Sequence, residues 1–171
     1  KGTDRSRFFR GEVDKYTWQE VGSSFLPSEV TAAFLLAQLD EAESITEKRI
    51  AIWNYYHHGV ESLEEKGYIQ RPVIPEGCEH NAHMYYVILS PDIEREKVLN
   101  FMRDKNVSAY FHYVPLHSSP AGKRYGRVSG TMSNTDNASE RIIRLPLWPD
   151  LTQNEQGRVI EVLTQALLQE V

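Results

Sequence analysis

A single cysteine, Cys78, leaves no intramolecular disulfide to be made. No apolar run approaches the roughly 20 residues a membrane-spanning helix needs, and no signal-peptide pattern is visible, so a cytosolic protein is the expectation. Basic residues are outnumbered, 19 Lys and Arg against 24 Asp and Glu, and are scattered, so the net charge of −5 gives no support to nucleic-acid binding. The Walker-type glycine loop, the dinucleotide fingerprint and the Gly-x-Ser-x-Gly elbow are all missing. No lysine stands in a context that marks a Schiff-base former. Internal repeats and low-complexity segments are lacking too. The chain also lacks an initiator methionine: Lys1–Gly11 interleaves Arg5, Arg7 and Arg10 with Phe8 and Phe9 and reads as the interior of a longer protein.

What is present suits a folded domain, or a domain with an appendage, since 40% hydrophobic residues in 171 can bury a real core. The most informative stretch is Ser23-Ser24-Phe25-Leu26-Pro27-Ser28-Glu29, after Gly22, Tyr16 and Trp18. Hydroxyls beside a helix N-terminus, with its unpaired N–H groups, suit a phosphate or carboxylate. Ser28 acting only as an N-cap accounts for the same residues. The helix that follows, over residues 27–40, is apolar nearly all round, which predicts burial.

A second helix over 43–66 sets Ile45, Ile52, Trp53, Tyr56, Val60 and Leu63 on one stripe, with a break expected near Asp40-Glu41 and Gly67 as the stop. Ile69–Ile74 reads as a short edge strand because Pro72 cannot donate to a central ladder. Strands are expected over 82–89 and 107–113, flanking a helix from Asp92 to Lys105 that ends at Asn106. A mobile Gly126–Thr135 stretch, a short helix over 137–144 and a final helix opened by the capping box Thr152–Glu155 complete the chain. The pattern predicts an α/β or α+β fold: a small sheet with packed helices behind a long helical entry, its pairings left open.

The run Phe111-His112-Tyr113-Val114-Pro115-Leu116-His117 ends a strand and enters a loop. Alternation sets Phe111 and Tyr113 on one face and His112 on the other, free to meet a ligand. A partly buried histidine bonded to backbone fits the same residues. Cys78, His80 and His83 match no regular zinc spacing, so no metal is expected. His57 and His58 face different ways on a helix and read as surface.

Arg5–Gly11, Asp14–Trp18, Gly22–Glu29, Ala37–Leu39, Asn81–Tyr85, Phe111–His117 with Pro120–Gly122, and Leu145–Leu147 together resemble the DegT/StrS-type sugar-nucleotide aminotransferases, in order along the whole chain. The Ser-Ser and Leu-Pro pattern is nearest to members that make dTDP-4-amino-4,6-dideoxygalactose. Many other members carry Asn at Ser24 and Arg at Leu26.

The resemblance implies the C-terminal part of a fold-type-I enzyme that uses pyridoxal 5′-phosphate (PLP). Such an enzyme works as a homodimer and moves an amino group from glutamate to a nucleotide-linked keto sugar. It implies a linker, interface loop and buried connecting helix over 1–42 and a small domain over 43–171. The cofactor-linking lysine would lie upstream, so no catalytic residue is expected in this chain. Ser23 and Ser24 would serve the PLP phosphate, and Arg7, Arg10, Tyr16, His112, Tyr113 and His117 would line the sugar-nucleotide pocket. The rival reading is a freestanding, non-catalytic module that binds an anionic ligand or a partner protein.

Overall fold

A computed structural model describes residues 5–12, 21, 23 and 25–169. Contacts divide the chain into two units, Lys1–Ala42 and Glu43–Val171. The first holds α1 (Arg5–Phe9) and α2 (Glu29–Asp40). Ser28 caps α2, its hydroxyl accepting from the Thr31 N–H at 3.2 Å. The burial expected of this helix is not found. It contains no buried residue, and Val30, Phe34, Leu35, Leu36 and Leu39 are all exposed. An all-apolar helix states a need for a covering surface, and the surface itself is not encoded in the helix.

The expected break falls at Glu41, and α3 (Ala42–Gly59) begins at once. The second long helix is interrupted at Val60, so that α4 (Glu61–Glu65) is separate. Gly67, at φ +78°, ends α4: its N–H donates to Glu64 and the Tyr68 N–H to Leu63. That conformation is costly for a residue with a Cβ. The edge strand is shorter than expected, β1 (Ile69–Gln70), and ends before Pro72.

β2 (Tyr85–Leu89) is central, antiparallel to β1 on one side and to β3 (Ile142–Leu145) on the other, with Tyr85 opposite Leu145 and Val87 opposite Ile143. The fold is therefore α+β. The side chains of Tyr85, Val87 and Leu89 are fully buried and alternate with half-buried Tyr86 and Ile88, as a strand with one covered face requires. One hydrophobic cluster joins that face to Ile52, Trp53 and Tyr56 of α3 and to Val98 and Met102 of α5 (Arg95–Asp104). Val159, Leu163, Ala166 and Leu167 of α8 (Gln153–Gln169) complete it. Buried Gln156 donates to the Ile52 carbonyl at 2.9 Å, so its amide is not left unpaired in the core. The capping box is formed: Thr152 N–H donates to Glu155 at 2.8 Å, and Glu155 N–H to the Thr152 hydroxyl at 3.3 Å.

Three further expectations fail. Helix α5 starts after Glu94 rather than at Asp92, because Ile93 N–H is taken by the Ser90 carbonyl in a turn and Ile93 is buried. Residues 107–113 do not form a strand. The backbone bends where Ala109 N–H donates to Val107, then meets β3 at one residue pair, Tyr110 and Arg144. The short helix comes earlier, as α7 (Ser133–Arg141), so 133–135 is helical and 142–145 is strand. Ile142-Ile143 pairs with β2 there, a use β-branched residues suit. A further short helix, α6 (Pro120–Tyr125), was not foreseen.

Candidate functional site

The 111–117 run is held from both sides. Arg144 Nη2 donates to the Phe111 carbonyl at 3.0 Å, and the Arg95 guanidinium sits 5.6 Å from the centre of the Phe111 ring while also donating to the Ser139 carbonyl. Next, a 3₁₀ turn at Leu116–Ser118 leads into α6, which Ser119 caps by accepting from the Gly122 N–H at 3.0 Å. Gly122 packs directly on this turn, since a Cβ there would lie 1.6 Å from the Leu116 carbonyl oxygen. Only glycine permits that approach.

Two adjoining clefts result. One, of about 580 Å³, lies between the 112–116 backbone and α7, with His112, Tyr113, Asn134, Ala138 and Ser139 on its walls. The other, of about 590 Å³, shares Pro115, Leu116 and Thr135 with it and adds His117, Lys123, Arg127 and Met132. The expected alternation is reversed: Phe111 and Tyr113 are exposed and His112 is the half-buried residue. Without a ladder, nothing fixes the pleat, and the cation over Phe111 holds that ring at the surface. His112 Nδ1 is buried and has no partner among the described residues.

His117 and Tyr113 therefore join His112 around one pair of clefts. His117 Nε2 is 2.7 Å from Asp136 Oδ1, with the imidazole mostly buried and the carboxylate half-exposed. Asp136, on α7, was missed because nothing in the sequence links it to a histidine 19 positions earlier. Lys123 and Arg127 were missed although a signal existed: no Asp or Glu occurs from Lys105 to Thr135.

In the first unit, Arg7 Nε lies 3.0 Å and Arg10 Nε 2.7 Å from Glu12, whose carboxyl these guanidinium hydrogen bonds hold below its ordinary range, Arg10 foremost. Ser23 is exposed. Tyr16 and Ser24 lie outside the described residues.

The histidine pair read as surface divides. His58 is exposed and hydrogen-bonds the Asn54 carbonyl at 2.7 Å. His57 is half-buried, stacked on Trp53 at 4.6 Å, and burial followed by the nearby Arg71 charge depresses its pKa. Arg71 clamps Glu64 (2.6 Å), Glu61 (3.1 Å) and the His57 carbonyl (2.6 Å). Cys78 is exposed, and His80 packs against Trp53. No helix among the described residues is long and apolar enough to cross a membrane.

Residues 4–164 match the model of the DegT/DnrJ/EryC1/StrS aminotransferase family. An uncharacterized protein of Methanocaldococcus jannaschii is 30% identical over 148 residues, 84% of this chain and 37% of that protein. The dTDP-3-amino-3,4,6-trideoxy-alpha-D-glucose transaminase of Micromonospora megalomicea is 26% identical over 165 residues, 95% of this chain and 43% of the enzyme. The chain thus spans well under half the length of these relatives. Among solved structures, DesV of S. venezuelae superposes with a TM-score of 0.79 at 22% identity, covering 96% of this chain and 45% of DesV. An aminotransferase from Brucella abortus gives 0.76 at 24% identity, covering 94% of this chain and 42% of that one.

Proposed function

Because the chain belongs to the DegT/DnrJ/EryC1/StrS aminotransferase family, we propose that it is the C-terminal part of a PLP-dependent sugar-nucleotide transaminase. The observation that carries this reading is the extent of the match, which takes in both the Ser23 segment and the His112–His117 clefts. The finer reading is transfer of an amino group from glutamate to a dTDP-linked 4-keto-6-deoxy sugar, in a cytoplasmic homodimer that supplies deoxysugars for lipopolysaccharide or an enterobacterial-type antigen. It is supported by the Ser23-Ser24 and Leu26-Pro27 pattern.

The residues present fit part of a PLP site. A phosphate dianion takes hydroxyl donors, and Ser23 offers an exposed one that no described residue engages. Lys48, Lys66, Lys97, Lys105 and Lys123 are all exposed, so none sits in the desolvated setting that activates a lysine amine. Ser23 and Ser24 would hold the phosphate, and the cofactor, when bound, supplies an electron sink.

This chain's own work is recognition of the sugar nucleotide. Asp136 orients the His117 ring and leaves Nδ1 to meet a substrate hydroxyl. His112, half-buried on the wall of the neighbouring cleft, would meet a second hydroxyl there. Tyr113 presents an exposed ring at the mouth. We also assign Arg7, Arg10 and Tyr16 to the sugar nucleotide, as the resemblance implies.

The gene sequence upstream of Lys1 tests the assignment. A reading frame continuing into a domain with a lysine and an aspartate suited to PLP supports it. A start codon adjacent to Lys1 favours the freestanding module.

A further inference from the structure

We propose that Arg95 is a positioning residue that sets the spacing between the two walls of the His112 cleft. That spacing governs the fit of the sugar nucleotide, a role that rests on the transaminase reading above. Arg95 is not itself on the walls, which are the 112–116 backbone and α7. It opens α5, a third element, and its one side chain reaches both walls. Nη1 donates to the Ser139 carbonyl, and the guanidinium carbon lies 5.6 Å from the centre of the Phe111 ring. Ser139 lines the cleft, and Phe111 immediately precedes His112.

Each contact answers a local need. The last carbonyls of a helix have no partner within it and carry the negative end of its dipole, so a cation suits them. At the end of α7 the Ile142 N–H takes the Ala138 carbonyl, and Arg95 takes that of Ser139. The Phe111 ring is half-exposed, and the guanidinium over it fixes where the next residue starts. Arg95 Nε is buried with no partner among the described residues, a loss that the two wall contacts offset. Glu96 stands 3.8 Å from Nη2 and is mostly exposed, so it adds little. Without Arg95 the two walls lose their common reference, while Arg141, donating to the Leu89 carbonyl at 3.0 Å, still ties α7 to β2. The spacing changes and the fold remains.

The test uses the longer polypeptide with PLP, as parent, Arg95→Met, Arg95→Lys, Phe111→Leu and the double variant of Arg95→Met with Phe111→Leu. Arg95→Met should raise KM for a dTDP-linked 4-keto-6-deoxy sugar about tenfold, the scale of a small displacement in a site. The glutamate half-reaction should stay unchanged. Arg95→Lys, which still donates to the Ser139 carbonyl, should recover part of the loss. Because Phe111 acts through the same side chain, the double variant should be no worse than Arg95→Met alone. Hydrogen exchange should quicken over 110–117 and 133–141 together in Arg95→Met, with 85–89 unchanged. A KM within about twofold of the parent overturns the proposal. So do additive losses in the double variant, equal losses in both half-reactions, or exchange that quickens at 85–89 as well. A parent that transfers no amino group, with exchange quickened at both walls in Arg95→Met, removes the transaminase reading and keeps the positioning role. Amino transfer with both walls exchanging as in the parent keeps that reading and removes this one.

Discussion

His117, on the wall of the 590 Å³ cleft, meets Asp136 at 2.7 Å, joining the 3₁₀ turn to the first turn of α7. A ring fixed by a carboxylate offers its other nitrogen in one direction only. Asp136→Ala should leave stability within about 1 kcal/mol of the parent, because the carboxylate is half-exposed. In the full-length protein it should raise KM for the sugar nucleotide about three- to tenfold, while Asp136→Asn, whose amide oxygen still accepts the bond, restores most of the loss. Steady-state kinetics on the two variants, with a urea melt of each, decide the matter. An effect on melting alone would make the pair structural.

His112→Ala should raise KM for the sugar nucleotide and spare the glutamate half-reaction, because glutamate has neither hexose nor nucleotide to meet the His112 wall of the cleft. Single-turnover rates for each half-reaction separate the cases. Parallel losses in both, with a lowered melting temperature, would assign the half-buried ring to packing.

Arg71 ties β1 to α3 and α4 through three side-chain bonds, at 15% side-chain exposure. Arg71→Met should cost about 2–3 kcal/mol in a urea titration, since it strips partners from Glu64 and the His57 carbonyl. The Arg71 backbone N–H, bonded to Glu64 at 2.6 Å, leads the side-chain contacts in holding the Glu64 carboxyl below its ordinary range. The stability this adds is present above the ordinary glutamate pKa near 4.3 and lost as pH falls through the lowered value. The variant, keeping the backbone bond, should lose less between about pH 5 and pH 3 than the parent does.

His57 acts in a higher pH window. Burial first, then the Arg71 charge, lowers its pKa, with His58 adding to this and Glu64 and Glu61 opposing. A depressed folded-state pKa means full stability above the unfolded value near 6.5, lost as pH falls through the folded value. Melting temperature should therefore drop between pH 7.5 and 5.5, and drop less in His57→Phe, which keeps a ring against Trp53. Equal drops in both proteins would remove His57 as the cause.

The elements legible in the sequence are those set by local chemistry. Gly67 at positive φ, the Thr152–Glu155 box, the period-two burial of 85–89 and the stripe of Ile52, Trp53, Tyr56, Val60 and Leu63 are each dictated by neighbours a few residues away. What was misread depends on distant partners. Val107–Tyr113 has strand composition but finds an edge at one residue only, and Ile142–Leu145 becomes a strand because β2 offers its free edge. Helix α6 could have been found from Ser119-Pro120, a cap followed by proline at N1. In the candidate site, the His112–His117 run was legible because its chemistry is contiguous. Lys123 and Arg127 reach the cleft, and Asp136 reaches His117, only through folding.

Amino transfer is the most direct test of the central claim. The polypeptide that includes this chain and its upstream sequence is given PLP, ¹⁵N-glutamate and a dTDP-linked 4-keto-6-deoxy sugar, and the sugar nucleotide is examined by NMR. The account predicts ¹⁵N on the sugar at the former keto carbon, dependent on PLP and reduced in the His112→Ala protein. Glutamate that keeps all of its label, in a folded protein saturated with PLP, would contradict it.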